Sequence, residues 1–287
     1  MSLPDFDYRA PTSVGQAVAL RQEFGDDALM MAGGLTVVIL LRERLVEPRV
    51  IISLSEIPEL RRIDRNGRTL HIGAAVTHSE IVRSEQVRGA APLLSEACGR
   101  VGSPAIRNMG TLGGNISHGD GASDPAPALL ALDAQARVAG PEGERLIPLK
   151  DFYHDLFVTD IGEDEVLMEF QIPVPRARRV TRFMKYTCTS EEAFATVTVA
   201  VSMRRDWVGK CADVRIGLGS VAPTPIRALN AEGVLDGKRA TKELIAEAAA
   251  AAAAEADPPT DAQASGVYRR AMTEVWVRRV LEDMLLG

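Results

Sequence analysis

The sequence predicts an α+β protein built from two α/β subdomains, residues 1–56 and 57–176, followed by a C-terminal antiparallel sheet with helices over 177–287. Three observations carry this expectation. Helix-like and strand-like segments alternate around a glycine turn over the first 56 residues. A second run of elements ends at Pro173 and Pro175, ahead of a basic stretch, RARRVTR. Beyond it lie two long β-branched runs and two long helical ones, a different texture.

In the first unit Ser13 is placed to cap a helix whose apolar positions Val14, Ala17, Val18 and Leu20 share one side, ending near Gly25. Residues 28–32 (ALMMA) read as a short buried strand stopped by Gly33 and Gly34. Thr36 is expected to cap a second helix through VVILLRERL, and residues 49–54 (RVIISL) return as a strand. If the two strands are parallel, their crossover is right-handed. In the second unit Asn66-Gly67 predicts a hairpin between residues 61–63 and 69–72. Helices are expected over 77–83 and 92–101, the latter with proline in its first turn and glycine beyond its end. Asp124 is placed to cap a helix over 125–132, and 134–138, 145–149 and 166–172 read as strands.

In the third unit, 194–204 and 211–221 are expected to pair as antiparallel strands through Asp206-Trp207-Val208-Gly209. Residues 241–256 read as a helix whose seven-alanine run reflects propensity without function. The last helix, 265–286, has Val267, Ala271, Val275, Val280 and Met284 near helical spacing and is expected to pack on those strands.

Composition narrows the function. A formal charge of -6 and a pI near 5.4 argue against nucleic acid or an anionic membrane as the main partner, because those surfaces select basic patches; the basic stretch after Pro175 reads as a solvated linker. No segment approaches the roughly 20 apolar residues a membrane helix needs, and the first residues lack a signal pattern. A cytoplasmic location is the expectation. Cys98, Cys188 and Cys211 lie far apart without a C-x-x-C pair, which excludes an iron–sulfur or zinc site built on this chain's cysteines alone. The four histidines show no metal-binding helical spacing, and no metal site is expected.

The chemistry is expected at two glycine turns, Ala32-Gly33-Gly34-Leu35-Thr36 and Thr111-Leu112-Gly113-Gly114-Asn115. Glycine lets backbone N–H groups face an anion without a Cβ in the way, and the first turn opens a helix, whose N-terminus favours negative charge. Thr36, Thr111 and Asn115 add side-chain donors. Together they predict a phosphate-bearing ligand that spans both units. No lysine lies in either turn, so the nucleotide-triphosphate loop is absent. Gly217-Leu218-Gly219-Ser220-Val221-Ala222 matches the G-x-G-x-x-A dinucleotide fingerprint, but Pro223-Thr224-Pro225 denies it the helix that fingerprint requires.

These motifs resemble the FAD-binding medium subunit of the molybdenum hydroxylases, the family that includes bacterial carbon monoxide dehydrogenase and the flavin segment of xanthine dehydrogenase. AGGLTVVILLRERL (32–45) is similar to the family's AGG-x-S and apolar helix, and IRNMGTLGGN (106–115) to its IRN-x-G-T-[IL]-GG-N. EVLMEFQIP (165–173), RFMKYT (182–187), VAPTPIRA (221–228) and YRRAMTEVWVRRVLE (268–282) resemble its later segments.

The resemblance implies the PCMH-type FAD-binding fold and FAD as this chain's cofactor. Ala32, Gly33, Gly34, Leu35 and Thr36, with Thr111, Gly113, Gly114 and Asn115, would hold the pyrophosphate and ribityl. Asp124 would bond the ribityl or ring, Leu167 and Lys185 would border the isoalloxazine, and Val101 would line the flavin pocket. No catalytic side chain is implied, because the redox chemistry is the flavin's. A molybdopterin cofactor on a large partner subunit would oxidise the substrate. A small partner's [2Fe-2S] clusters would relay electrons to this FAD and on to a terminal acceptor, in a dimer of heterotrimers. Departures exist: Leu35 stands where many relatives are polar, Thr36 where serine is usual, and residues 118–123 (HGDGAS) differ from the common form. For Lys185 the plainer alternative is a surface cation. The alternative for the whole chain is a flavin-free scaffold or assembly protein, which would have lost the small residues of both turns; neither turn has lost them.

Overall fold

The computed structural model describes residues 3–286. Its first sheet is parallel, in the order β1-β3-β2, from β1 (Asp7–Arg9), β2 (Ala28–Met31) and β3 (Val50–Ser53). Parallel strands need crossovers, and α1 (Val14–Phe24) and α2 (Leu35–Arg42) provide them. Ser13 caps α1 through the Gln16 N–H, as its position predicted. Thr36 caps nothing: the N-cap of α2 is Gly34, held at φ 75°, and Thr36 lies inside the first turn. A left-handed cap suits glycine alone at low cost, so the helix begins two residues earlier than the threonine suggested. Val14, Ala17 and Val18 pack on Val50 and Ile52, and this core runs on to Val166 and Met168 of the next sheet.

The second sheet has β4 (Ile63–Asn66), β5 (Thr69–Gly73), β6 (Gln135–Gly140), β7 (Gly143–Pro148) and β10 (Val166–Pro173), in the order β4-β5-β10-β6-β7. All four pairings are antiparallel, so only the first unit has the parallel arrangement. A separate two-stranded piece, β8 (Tyr153–Asp155) with β9 (Val158–Thr159), lies between. Six helices join β5 to β6: α3 (His78–Arg83), α4 (Glu85–Ala90), α5 (Pro92–Gly99), α6 (Pro104–Met109), α7 (Leu112–Ser117) and α8 (Pro125–Ala131). The second glycine turn is therefore helical from Leu112 onward, and Leu112 and Ile116 of α7 are fully buried with Leu70, Ile72, Leu129 and Phe170. Burying a side chain of this size stabilises the fold by about 1.5–3 kcal/mol, enough to override the poor helix propensity of Gly113 and Gly114.

The third sheet, β11-β12-β13-β14, is antiparallel and comprises Val180–Tyr186, Val197–Arg205, Cys211–Gly219 and Ile226–Arg227. On one face Val197, Val199 and Val201 pack with α9 (Leu229–Leu235), α10 (Lys242–Glu255) and α11 (Gly266–Leu286). On the other lies α8. A Cβ on Gly217 would stand 2.1 Å from Pro127 O, so the glycines that imitate a dinucleotide fingerprint sit on a strand and admit α8 to the sheet. The alanine run does more than favour helix: Ala248, Ala249 and Ala252 are wholly buried, and their small size lets α10 approach its neighbours. The inner face of α11 is Arg269, Thr273, Val277, Val280, Leu281 and Leu285, whereas Val267 is 84% exposed. The helix packs on those strands as expected, with Val280 buried and Met284 packed beside it, but apolar spacing missed the first turns of this face because Arg269 is buried in it, its guanidinium donating to the carbonyls of Ala195, Thr196 and Ser220 and to Asp261.

Candidate functional site: a cleft between two glycine turns

A cleft of about 430 Å³ opens between the first two units, with Ala32 from one glycine turn and Gly113 and Gly114 from the other among its walls, and Ala74 and Leu167 beside them. Among the described residues, no hydrogen bond within the protein engages the backbone N–H of Gly33, Gly34, Leu35, Thr36 or Val37; the first N–H of this stretch with a partner is that of Val38, which donates to Gly34 O. Such unpaired N–H groups at a helix start carry partial positive charge. Gly33 itself is demanded by the protein: its Cβ would lie 2.1 Å from Met109 O, so the first turn rests against the end of α6.

The second turn is different. The N–H groups of Leu112 and Gly113 donate to Val76 O (2.9 Å) and Ala74 O (2.8 Å), and those of Gly114 and Asn115 to Thr111 Oγ1 and Thr111 O (both 3.0 Å). The expectation that both turns present open N–H groups is thus corrected: here they are engaged internally, and Thr111 is the cap of α7. Gly113 is bare because its Cβ would meet Ala74 Cβ at 2.5 Å. Only Gly114 is bare toward the cleft; it is exposed, and its Cβ would stand 4.0 Å from Ala32 Cβ on the opposite turn.

Beyond the second turn a buried polar cluster forms. Asn115 Oδ1 accepts from Ser123 Oγ, which in turn accepts the Ala126 N–H at the start of α8. Asp124 holds the N-cap position of α8 but its side chain makes no cap bond; Ser123 Oγ supplies that bond instead. That leaves Asp124 Oδ2 to pair with Lys185 Nζ at 2.7 Å, and Lys185 also donates to Arg100 O at 3.0 Å, beside buried Val101. The side chains of Lys185 and Asp124 are only 4% and 7% exposed, which removes the surface-cation alternative. Burial pushes the Asp124 carboxyl up to about 6, with Lys185 and Arg100 pulling the other way. Its Oδ1 has no partner among the described residues.

Two residues escaped the sequence reading. Ser123 carried a signal, a hydroxyl two residues before a proline, that the neighbouring aspartate masked. His78 carried none. It is buried behind the second turn, donates its backbone N–H to Gly110 O at 3.0 Å, and burial together with Arg107 pushes its imidazole down to about 4.

The fold and cleft define a cofactor-carrying oxidoreductase component: residues 4–175 match the FAD binding domain in molybdopterin dehydrogenase, and residues 182–284 the CO dehydrogenase flavoprotein C-terminal domain. The chain belongs to that family, the FAD-binding medium subunits of the molybdenum hydroxylases. It is 35% identical to the carbon monoxide dehydrogenase medium chain of Hydrogenophaga pseudoflava over 97% of this chain and 96% of that one. It is 33% identical to the 6-hydroxypseudooxynicotine dehydrogenase complex subunit alpha of Paenarthrobacter nicotinovorans, over 99% and 96%. The structure of carbon monoxide dehydrogenase from Hydrogenophaga pseudoflava lacking the Mo-pyranopterin moiety superposes with a TM-score of 0.96 at 37% identity, covering 100% of this chain and 99% of that one. No helix among the described residues is long and apolar enough to cross a membrane.

Proposed function

We propose that this chain carries FAD in the cleft and passes electrons from the [2Fe-2S] clusters of a small partner subunit to a terminal acceptor, while a large partner subunit oxidises the substrate at a molybdopterin cofactor. The observation that carries this reading is the row of open N–H groups from Gly33 to Val37, next to Ala32 and across the cleft from bare Gly114. Neutral donors at a helix start suit a pyrophosphate. The free Oδ1 of Asp124 suits a hydroxyl or ring N–H, and Leu167 with Val101 offers an apolar border. Leu35 and Thr36 contribute chiefly backbone N–H groups, so the unusual side chains at these two positions are compatible with the role. Bound FAD supplies the redox chemistry; these residues hold it, exclude water from the ring, and place Lys185 beside it with its charge balanced by Asp124.

By this reading the working assembly is a dimer of heterotrimers in the cytoplasm. A visible spectrum of the purified chain, alone and with its partners, followed by release of the chromophore and its identification by mass, tests the proposal. Flavin bands with released FAD are expected. A colourless protein that takes up no FAD in the intact complex would overturn it in favour of the flavin-free scaffold.

A further inference from the structure

One end of the third sheet gathers positive charge that the sequence scatters. The basic stretch after Pro175, which reads from sequence as a solvated linker, runs into β11, whose first residue Val180 is the register partner of Met203 near the end of β12. Arg205 pairs with Cys211 across the β12–β13 hairpin, and the Cys211 N–H donates to Lys238 O at 2.8 Å. The Arg205 guanidinium donates to Met284 O and Leu285 O at 2.8 and 3.0 Å. The linker, the hairpin, the loop after α9 and the last turn of α11 therefore meet in one place.

Arg176, Arg178, Arg205, Lys210, Lys238 and Arg239 are exposed there, and none has an ion-pair partner among the described residues. The nearby acids are mostly engaged. Asp213 is held by Arg179, Arg204 and Arg215, and Asp283 by Arg182. Asp206 and Asp236 accept backbone N–H groups; with half-buried Glu282 they leave the cations in excess. A chain of formal charge -6 thus carries one cationic end.

Trp207 stands at its apex, at the hairpin tip four positions beyond Met203, and is 95% exposed. Its turn is pinned: Asp206 Oδ1 accepts from the N–H groups of Val208 and Lys210 at 3.0 and 2.8 Å, and Gly209 takes φ 80°. A ring presented on a pinned turn costs little further ordering on contact. Exposed Val180 and Leu286 lie behind it. An aromatic ring in front and cations set back around it match the layering of a membrane surface, where Trp favours the boundary and Lys and Arg meet anionic headgroups. The end is convex and offers no groove to track a nucleic-acid strand. Two copies of it would repel. Its cations come from separate segments without fixed partners, which suits mobile headgroups better than the fixed carboxylates of a protein socket.

We propose that this end of the third sheet docks on an anionic lipid surface, with Trp207 inserted at the boundary and the surrounding Arg and Lys side chains on the headgroups, as a reversible peripheral contact. The inference goes beyond the flavin reading and does not rest on it. Lys185 lies toward the opposite end of β11 from Val180, so the contact leaves the cleft open.

The test mixes the full chain with vesicles of phosphatidylcholine, alone or with about 30% phosphatidylserine, and measures bound protein by co-sedimentation. Binding is expected on the serine-containing vesicles only, and is lost in about 0.5 M salt. Lys238→Glu combined with Arg239→Glu should lower the affinity at least tenfold, and Trp207→Ser on the order of fivefold. All three side chains are exposed, so circular dichroism and urea unfolding should match wild type. Lys150→Glu, which reverses an exposed cation on the second unit, should bind as wild type does. Tryptophan emission should shift to the blue on the vesicles and be quenched by lipids brominated on their acyl chains, and Trp207→Ser should abolish both changes. No binding at low salt, binding that these variants leave unchanged, or an unquenched Trp207 overturns the proposal. An equal loss in Lys150→Glu also overturns it, by reducing the contact to net charge. So does loss of a partner subunit from the purified complex of the same variants without vesicle binding, which would assign the end to an acidic protein face.

Discussion

The two glycine turns look alike in sequence and meet the cleft with different chemistry. At Gly33–Val37 the polar groups are backbone N–H dipoles with no partner among the described residues. At Leu112–Asn115 every N–H is already bonded inside the protein, and the polar groups on that side are side chains, linked from Asn115 through Ser123 to the segment of Asp124 and Lys185. By the flavin reading, the first half of the site would hold charge with groups that do not titrate, and the second half would depend on a buried ion pair. A glycine pair reports that something approaches closely, and at Gly33 and Gly113 what approaches is the protein's own backbone.

The strongest way to break this comparison is to add a methyl group where backbone is the neighbour. Gly33→Ala drives a Cβ to 2.1 Å from Met109 O, and Gly113→Ala to 2.5 Å and 2.6 Å from Ala74 Cβ and Ala74 O. Neither obstacle is a flexible side-chain end. Each variant is expected to lose about 3 kcal/mol of stability, the upper part of the usual overpacking range, whether or not flavin is present. Urea unfolding of flavin-free protein measures it. Wild-type stability in Gly113→Ala, with FAD binding alone lost, would return that glycine to a direct role at the ligand.

A smaller effect separates the two halves by pH. Folding raises the Asp124 carboxyl from 3.8 to about 6, so the folded state favours its protonated form. This group's contribution is fully present below about pH 4 and is lost as pH rises through about 6. Relative to Asp124→Asn, the wild-type chain should therefore lose stability between those pH values, on the order of 2 kcal/mol, and show a constant difference above them. A variant of the first turn, Thr36→Val, should run parallel to wild type throughout. A wild-type curve parallel to that of Asp124→Asn across pH 4–7 would contradict the burial argument.

What was legible in the sequence was local. Ser13 caps its helix where its spacing said it would, and the helices read from residues 77 and 241 begin there, with Thr77 and Thr241 as their caps, because a cap needs only its own next turn. The hairpin at Gly67 followed from turn chemistry alone. β1 left no trace, since three exposed residues, Asp7, Tyr8 and Arg9, become a strand only by pairing with β3 more than forty positions away. The helicity of Leu112–Ser117 was hidden by its glycines, and the engagement of its N–H groups by Val76 and Ala74 is a tertiary fact. Lys185 could be named from the resemblance, but its burial against Asp124, 61 positions away, needed the third sheet to be in place.

The finest distinction lies within the second turn itself, between Gly113 and Gly114. A Cβ on Gly114 would meet only Thr111 Oγ1, a side-chain hydroxyl at 2.9 Å, and would otherwise project toward Ala32 across the cleft. The hydroxyl can rotate away, at the cost of weakening the cap it gives α7, about 1 kcal/mol. Alanine regains a comparable amount through its better helix propensity, again about 1 kcal/mol. The two terms nearly cancel, so Gly114→Ala should unfold within about 0.5 kcal/mol of wild type, while the added methyl narrows the cleft where the ligand is proposed to pass. FAD affinity, measured by titration of the flavin-free chain, should fall at least tenfold, about 1.4 kcal/mol. Unchanged affinity would move the ligand's path off the second turn and leave the first turn as the sole backbone contact.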